Sequence, residues 1–249
     1  MHDEGQYLAI DIGNQRGKAV LFEGAVIRER MVFASSDPSS LVSRMKEWPA
    51  IPPVAISMVS RPGDPLLPFL EQNTRLLQVN GRSNVPLAMG YHTPDTLGAD
   101  RLAAACGAFS RFPGRNLLVI DAGTCITIDI VDETGTFLGG SISPGLAMRA
   151  RAMHSFTERL PLVDATSDYS LVGKDTQTSL GSGALMGIVT EIEGRINRLN
   201  NDFPGLLVVM TGGDVLTLCK KINFNIFVMP DLVCWGLRAI LLHHEIIQN

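Results

Sequence analysis

Leu8-Ala9-Ile10-Asp11-Ile12-Gly13-Asn14 decides the reading of this chain, because Leu118-Val119-Ile120-Asp121-Ala122-Gly123-Thr124 repeats it. Each copy is an apolar run that ends on an Asp-x-Gly turn and leads into further strand-like alternation. Asp and Gly both favour turns, so either motif alone could arise by chance. The shared context points instead to duplication, and internal similarity of this kind governs the fold. In both copies the Asp ends an apolar strand, and the Gly allows the close backbone approach that a phosphate needs.

The pattern around each copy is that of a three-stranded antiparallel meander. In the first, Lys18 to Glu23 and Ala25 to Phe33 alternate around Gly24, which suits a tight hairpin turn. In the second, Cys125 to Val131 and Thr136 to Ile142 flank Asp132-Glu133-Thr134-Gly135. Helical periodicity and short apolar strands follow each meander: Pro38 to Trp48 then Val54 to Val59, and Met186 to Leu199 then Leu206 to Met210. Both halves are therefore expected to be α/β. The breakers Phe112-Pro113-Gly114-Arg115 precede the second Asp-bearing strand and divide the chain into 1–113 and 114–249.

Composition sets the bounds. The chain has 249 residues, 45% hydrophobic and 18% charged, an ordinary globular balance with enough apolar surface for a sizeable core. A formal net charge of -4 gives no general attraction to nucleic acid or anionic membranes. Met1-His2-Asp3-Glu4-Gly5 carries acid where an export signal carries positive charge, and the longest apolar runs fall far short of the about 20 residues of a membrane span. Cys106, Cys125, Cys219 and Cys234 show no Cys-x-x-Cys pairing and sit among apolar neighbours, as buried thiols do. A cytoplasmic protein without a zinc site is expected.

Asp11 and Asp121, brought face to face across a cleft, would repel unless positive charge lay between them, and ATP with Mg²⁺ meets that need. Backbone amides of the glycine turns could hold phosphate oxygens, Lys18 could add charge and Thr124 could donate a hydrogen bond. Lys18 reads equally as a solvated surface lysine. No Walker-type motif competes for the phosphates. Tyr91 to Arg101 opens an apolar helix through Ala108, with Asp100 at its start, where a carboxylate can simply cap the helix. As chemistry, Asp100 could accept a hydroxyl proton and Arg101 bind an anionic group, but spacing alone does not divide those roles. Gly139 to Gly145 forms a close turn before the helical pattern Leu146 to Phe156. Thr211-Gly212-Gly213-Asp214 places bare backbone between a strand and a helix, where a nucleotide could lie and Asp214 could equally be an N-cap. Gly173 to Gly183 is rich in capping residues, and the five histidines have no ligand spacing.

In this order, Asp11-Ile12-Gly13-Asn14 with Lys18, Gly98-Ala99-Asp100-Arg101, Asp121-Ala122-Gly123-Thr124, Gly140-Ser141-Ile142-Ser143-Pro144-Gly145, Thr176 and Thr211-Gly212-Gly213-Asp214 resemble the type III pantothenate kinases. These belong to the superfamily of acetate and sugar kinases, heat-shock chaperones and actin. The resemblance covers nearly the whole chain. It implies two duplicated ribonuclease H-like domains of the actin-like ATPase fold with the nucleotide cleft between them, a homodimer, and phosphorylation of pantothenate by ATP with Mg²⁺, the first step towards coenzyme A. By matching position it implies that Asp100 accepts the proton of the pantothenate primary hydroxyl, and that Tyr91, Gly98, Ala99 and Arg101 line the substrate site. Thr176 would reach pantothenate from the partner subunit. Asp11, Gly13, Asn14, Gln15, Lys18 and Thr124 would bind ATP, with Gly212 and Gly213 against the nucleotide, and Asp121 would hold a monovalent cation, K⁺ or NH₄⁺. Gln15 departs from the family motif, which has Thr or Ser there, so an amide replaces a hydroxyl that faces phosphate. That departure, with the superfamily's non-kinase members, supports one alternative, a catalytically weak nucleotide-binding regulator; a kinase for another small hydroxyl compound is a separate alternative.

Overall fold

The computed structural model describes residues 5–58 and 65–248. Met1 to Glu4 and Val59, the last residue of the expected fourth strand, lie outside the described residues. Two compact units are formed, one by Met1–Pro113 with Asp231–Asn249 and one by Gly114–Pro230. The break falls at the Pro113-Gly114 breaker. The C-terminal segment, however, goes with the first unit and not with 114–230, where the expected division 1–113 and 114–249 put it.

In the first unit, β1 (Gln6–Ile12), β2 (Arg16–Glu23) and β3 (Val26–Ala34) form the expected meander. Helix α1 (Ser39–Lys46) leads to β4 (Val54–Met58), and α2 (Leu66–Asn73) to β5 (Leu76–Gln78). The sheet order is β3-β2-β1-β4-β5, with β4 parallel to β1 and to β5. The short strand β6 (Ala88–Met89) then precedes α3 (Ala99–Arg111), which runs past the expected end at Ala108. Alternation places Leu8, Ile10 and Ile12 of β1 in one buried cluster with Leu41, Met45, Leu66 and Leu70 of α1 and α2. Helix-borne groups also cover the opposite face, so β1 is apolar on both sides and reads as a nearly continuous hydrophobic run.

The second unit repeats the meander with β7 (Leu117–Ala122), β8 (Cys125–Val131) and β9 (Thr136–Pro144). Next come α4 (Leu146–Ser155), α5 (Thr176–Asp202), β10 (Leu207–Thr211), the single turn α6 (Val215–Leu218) and β11 (Ile226–Val228). Within this unit the strand order is β11-β10-β7-β8-β9, and β10 is parallel to both its neighbours. Helix α5 starts well before the periodic stretch Met186 to Leu199. Its start is fixed by a reciprocal cap, in which Asp175 accepts from the Thr178 amide and the Thr178 hydroxyl accepts from the Asp175 amide.

Helix α7 (Leu232–Gln248) returns to the first unit, packing on β1 and β4 and along α3. On this face Trp235 meets Phe22 edge to face at 4.8 Å, and the Tyr7 hydroxyl lies 3.2 Å from Glu245. Helices α3 and α7 touch backbone to backbone: a Cβ on Gly236 would strike the Ala103 carbonyl, and one on Gly107 the Leu232 carbonyl. Among the described residues no helix is long and apolar enough to cross a membrane. All four cysteines are free thiols, but only Cys106 and Cys234 are buried. Cys125 and Cys219 are half-buried, which corrects the expectation of four buried ones; each lies beside a turn at the end of its element.

Candidate active site

The β1–β2 turn is built by register. Asp11 stands opposite Lys18, and Ile12 opposite Gly17, leaving Gly13-Asn14-Gln15 as the connection. The Gly13 amide closes it by donating to the Arg16 carbonyl at 3.2 Å. Ser35, buried at the end of β3, braces it from behind: its hydroxyl donates to the Gly13 carbonyl at 2.7 Å and its amide to the Gln15 carbonyl at 3.1 Å. Asn14 and Gln15 are exposed at the tip. With the carbonyls of Gly13 and Gln15 tied inward, the tip is held in one conformation, as a phosphate-binding turn requires.

Lys18 is not a lone surface lysine. Its ammonium lies 3.2 Å from the carboxylate of Asp231, which also accepts from Arg30 at 2.8 Å. Asp231 immediately precedes α7, and its carbonyl accepts the Trp235 amide at 2.9 Å. Inside the same helix, burial pushes the Cys234 thiol well above the ordinary thiol range; the negative charge of Asp11 and Asp231 adds to this, and Lys18 opposes it. Asp11, Lys18 and Asp231 are therefore electrostatic neighbours on the α7 face of the sheet. The sequence alone marks neither Asp231 nor Ser35. Pro230-Asp231 before an apolar helix signals a cap, and nothing local signals the partner Lys18.

At the start of α3, Gly98 occupies the N-cap position, so Asp100 does not cap the helix. The Asp100 carboxylate accepts the Arg101 amide at 2.8 Å and is otherwise exposed. Arg101 is buried, with its guanidinium 5.7 Å from the centroid of the Tyr91 ring, a cation–π geometry that fixes its orientation. Tyr91, Gly98, Ala99, Asp100 and Arg101 thus form one cluster. Thr176 belongs to the other unit, at the exposed first position of α5; the cap there is made by Asp175 and Thr178, which leaves the Thr176 hydroxyl outside that cap.

The turn in the second unit gathers four predicted residues. Strands β7 and β10 end side by side, with Asp121 in register with Thr211. Gly212 has φ +101, and a Cβ there would strike the Ala122 carbonyl and lie 2.5 Å from Asp121 Oδ1. Only glycine fits there, and the carboxylate of Asp121 lies directly over that bare backbone. The Asp214 amide donates to Ala122 O at 2.9 Å, and the Gly145 amide to Thr124 O at 3.1 Å. Asp121, Thr124, Gly212 and Gly213 therefore share one end of this sheet. Asp214 occupies the N-cap position of α6 but caps nothing with its side chain.

Each unit thus presents an Asp-x-Gly turn at the end of its central strand, with glycine backbone beside it. Along the sequence, residues 7–198 match the model of the type III pantothenate kinase family. The chain belongs to the type III pantothenate kinase family. The type III pantothenate kinase of Bacteroides fragilis is 38% identical over 234 residues, covering 94% of this chain and 96% of that relative. That of Christiangramia forsetii is 37% identical over 235 residues, covering 94% and 97%. Among solved structures, the activator of the 2-hydroxyisocaproyl-CoA dehydratase from Clostridium difficile with bound ADPNP is similar at a TM-score of 0.56. It is 16% identical and covers 98% of this chain and 97% of that one, which speaks for the fold alone. The duplicated α/β architecture of this type III pantothenate kinase family member is that of the actin-like ATPases and sugar kinases.

Proposed function

We propose that the protein transfers the γ-phosphoryl group of ATP to the primary hydroxyl of pantothenate, giving 4′-phosphopantothenate and ADP. What carries the reading is the pair of braced Asp-x-Gly turns in a chain that matches the family over residues 7–198. Gly13, Asn14, Gln15 and Lys18 of one turn, and Thr124, Gly212 and Gly213 of the other, hold the nucleotide. Asp231 fixes the ammonium of Lys18 so that it need not be ordered when ATP binds. Arg101, oriented on Tyr91, takes the pantothenate carboxylate. Asp100 is exposed at the start of α3 and receives the hydroxyl proton as the oxygen–phosphorus bond forms and ADP leaves.

Asp121 and Asp11 offer oxygen donors only, the chemistry that suits hard cations. Asp121, lying over the bare backbone of Gly212, would hold K⁺ or NH₄⁺, and Asp11 would bind ATP with its Mg²⁺. Both ions would supply positive charge against the phosphates. Thr176 reaches pantothenate in the partner of a homodimer, and the cytoplasm, where ATP and reduced thiols coexist, is the compartment.

Pantothenate-dependent ADP release with Mg²⁺, run with and without K⁺, tests the reading. The wild type is expected to turn over only with pantothenate and faster with K⁺. Asp100→Asn is expected to lose at least about a hundredfold in kcat while ATP affinity stays within about twofold. Unchanged turnover in that variant would remove Asp100 from the chemistry. ATP bound without any product would favour a regulator, and turnover with a different acceptor only would favour another kinase.

A further inference from the structure

The Pro144-Gly145 step, where β9 gives way to α4, has no part in the chemistry proposed above, yet it lies against the β7–β8 turn. A Cβ on Gly145 would strike the carbonyls of Gly123 and Thr124, so only glycine lets the two segments meet. The peptide group between Pro144 and Gly145 is held on both sides. Its N–H donates to the Thr124 carbonyl at 3.1 Å, and its oxygen accepts from Arg149 Nε at 2.9 Å.

Arg149 stands one turn into α4, and its side chain leans back toward the helix start, as helical side chains do, to reach Pro144. Helix α5 fixes the guanidinium from the far side. Glu191 accepts from Arg149 Nη2, and Gly187, one turn earlier on α5, leaves room for the group: a Cβ there would lie 3.3 Å from Arg149 Nη1. The two side chains are only 21% and 23% exposed, so this is not a solvated surface pair. A cation on a peptide oxygen polarises the unit and strengthens the bond made by its N–H. One chain of contacts therefore runs from Glu191 through Arg149 and the Pro144-Gly145 peptide to the carbonyl of Thr124, itself exposed at the turn.

We propose that Arg149, anchored by Glu191, is a positioning residue for this turn: by tying the Thr124 carbonyl inward it holds the Thr124 hydroxyl toward ATP. It does here what Ser35 does in the first unit, where the carbonyls of Gly13 and Gln15 are tied inward. A clip between α4 and α5 uses Glu191 alone; the bond to the Pro144 carbonyl carries the effect to the turn. The inference rests on the ATP-dependent reading but not on the identity of the phosphoryl acceptor.

Calorimetric titration of ATP with Mg²⁺ into the wild type, Arg149→Met, Thr124→Ala and the double variant tests it, with the urea midpoint of each measured alongside. Arg149→Met, similar in length and without donors, is expected to lower ATP affinity about tenfold, the scale of a hydrogen bond to a charged group. With Thr124→Ala already present, the same change is expected to lower it less than about twofold, because the hydroxyl being positioned is gone. Any loss of stability, by contrast, should be equal in both backgrounds. Glu191→Gln, the same shape with the charge removed, is the gentler probe should Arg149→Met fail to fold: about threefold weaker ATP binding, and no change when Thr124→Ala is present. A lowered urea midpoint with ATP affinity within twofold of the wild type would reduce Arg149 to a clip between helices and overturn the assignment, leaving the kinase reading intact. Equal losses of affinity with and without Thr124 would overturn it too. Wild type that binds no ATP would remove both, and the expected coupling without any pantothenate phosphorylation would keep the role of Arg149 and remove the pantothenate reading.

Discussion

At the scale of single residues, Asp231 is the group that changes the picture of the first turn. It takes two cations, Lys18 at 3.2 Å and Arg30 at 2.8 Å, with only 9% of its side chain exposed. An exposed pair of this kind would be worth little, but a nearly buried carboxylate makes stronger charge-assisted bonds to its two partners. Asp231→Ala is therefore expected to destabilise the fold by about 1–3 kcal/mol, measured by urea denaturation. It should also weaken ATP binding, because Lys18 loses the contact that holds it. If stability falls while ATP affinity is unchanged, Lys18 does not touch the nucleotide. Sequence could not show this pairing: Asp231 and Lys18 lie at opposite ends of the chain, and a single ion pair leaves no periodic trace. Asp11, Asp121 and Gly212 were legible because each lies in a local pattern, an apolar strand followed by a turn, that dictates its own geometry.

At the scale of elements, the two meanders and most helices follow from alternation and periodicity, and what escaped is where tertiary contact overrides local pattern. Helix α5 begins at Thr176, inside a stretch whose Gly, Ser and Thr residues read as caps ahead of a helix whose periodicity starts only at Met186. The cap between Asp175 and Thr178 fixes that start. Helix α7 lies in an apolar run, Leu232 to Leu242, but nothing in that run shows its membership in the first unit, because that depends on what it packs against. The contact with α3 decides it. Gly236 and Gly107 let the two backbones meet, and a methyl group on Gly236 has nowhere to go but into the Ala103 carbonyl. Gly236→Ala is expected to lower stability by about 3 kcal/mol through overpacking, despite the better helix propensity of Ala. The check is the urea midpoint at unchanged m-value. A neutral or stabilising result would mean that α3 and α7 are not in backbone contact.

At the scale of the whole molecule, the reading divides the pantothenate site between subunits, with Asp100 and Arg101 from one and Thr176 from the other. Thr176 makes a clean probe because the cap of α5 belongs to Asp175 and Thr178. Thr176→Val should leave stability and ATP affinity alone while raising the KM for pantothenate about three- to tenfold, the range of one hydrogen bond from a neutral hydroxyl. Mixed dimers then decide whether the residue acts across the interface. In a hybrid of one Asp100→Asn subunit and one Thr176→Val subunit, purified through two different tags, action across the interface leaves one site with both Asp100 and Thr176. That hybrid should show the wild-type KM at about half the wild-type kcat. If Thr176 served its own subunit, the only site with Asp100 would carry the Thr176→Val change, a methyl group in place of the hydroxyl, and the KM would stay raised. The two outcomes differ in KM at equal enzyme concentration, so titration of pantothenate with each purified homodimer and the hybrid separates them.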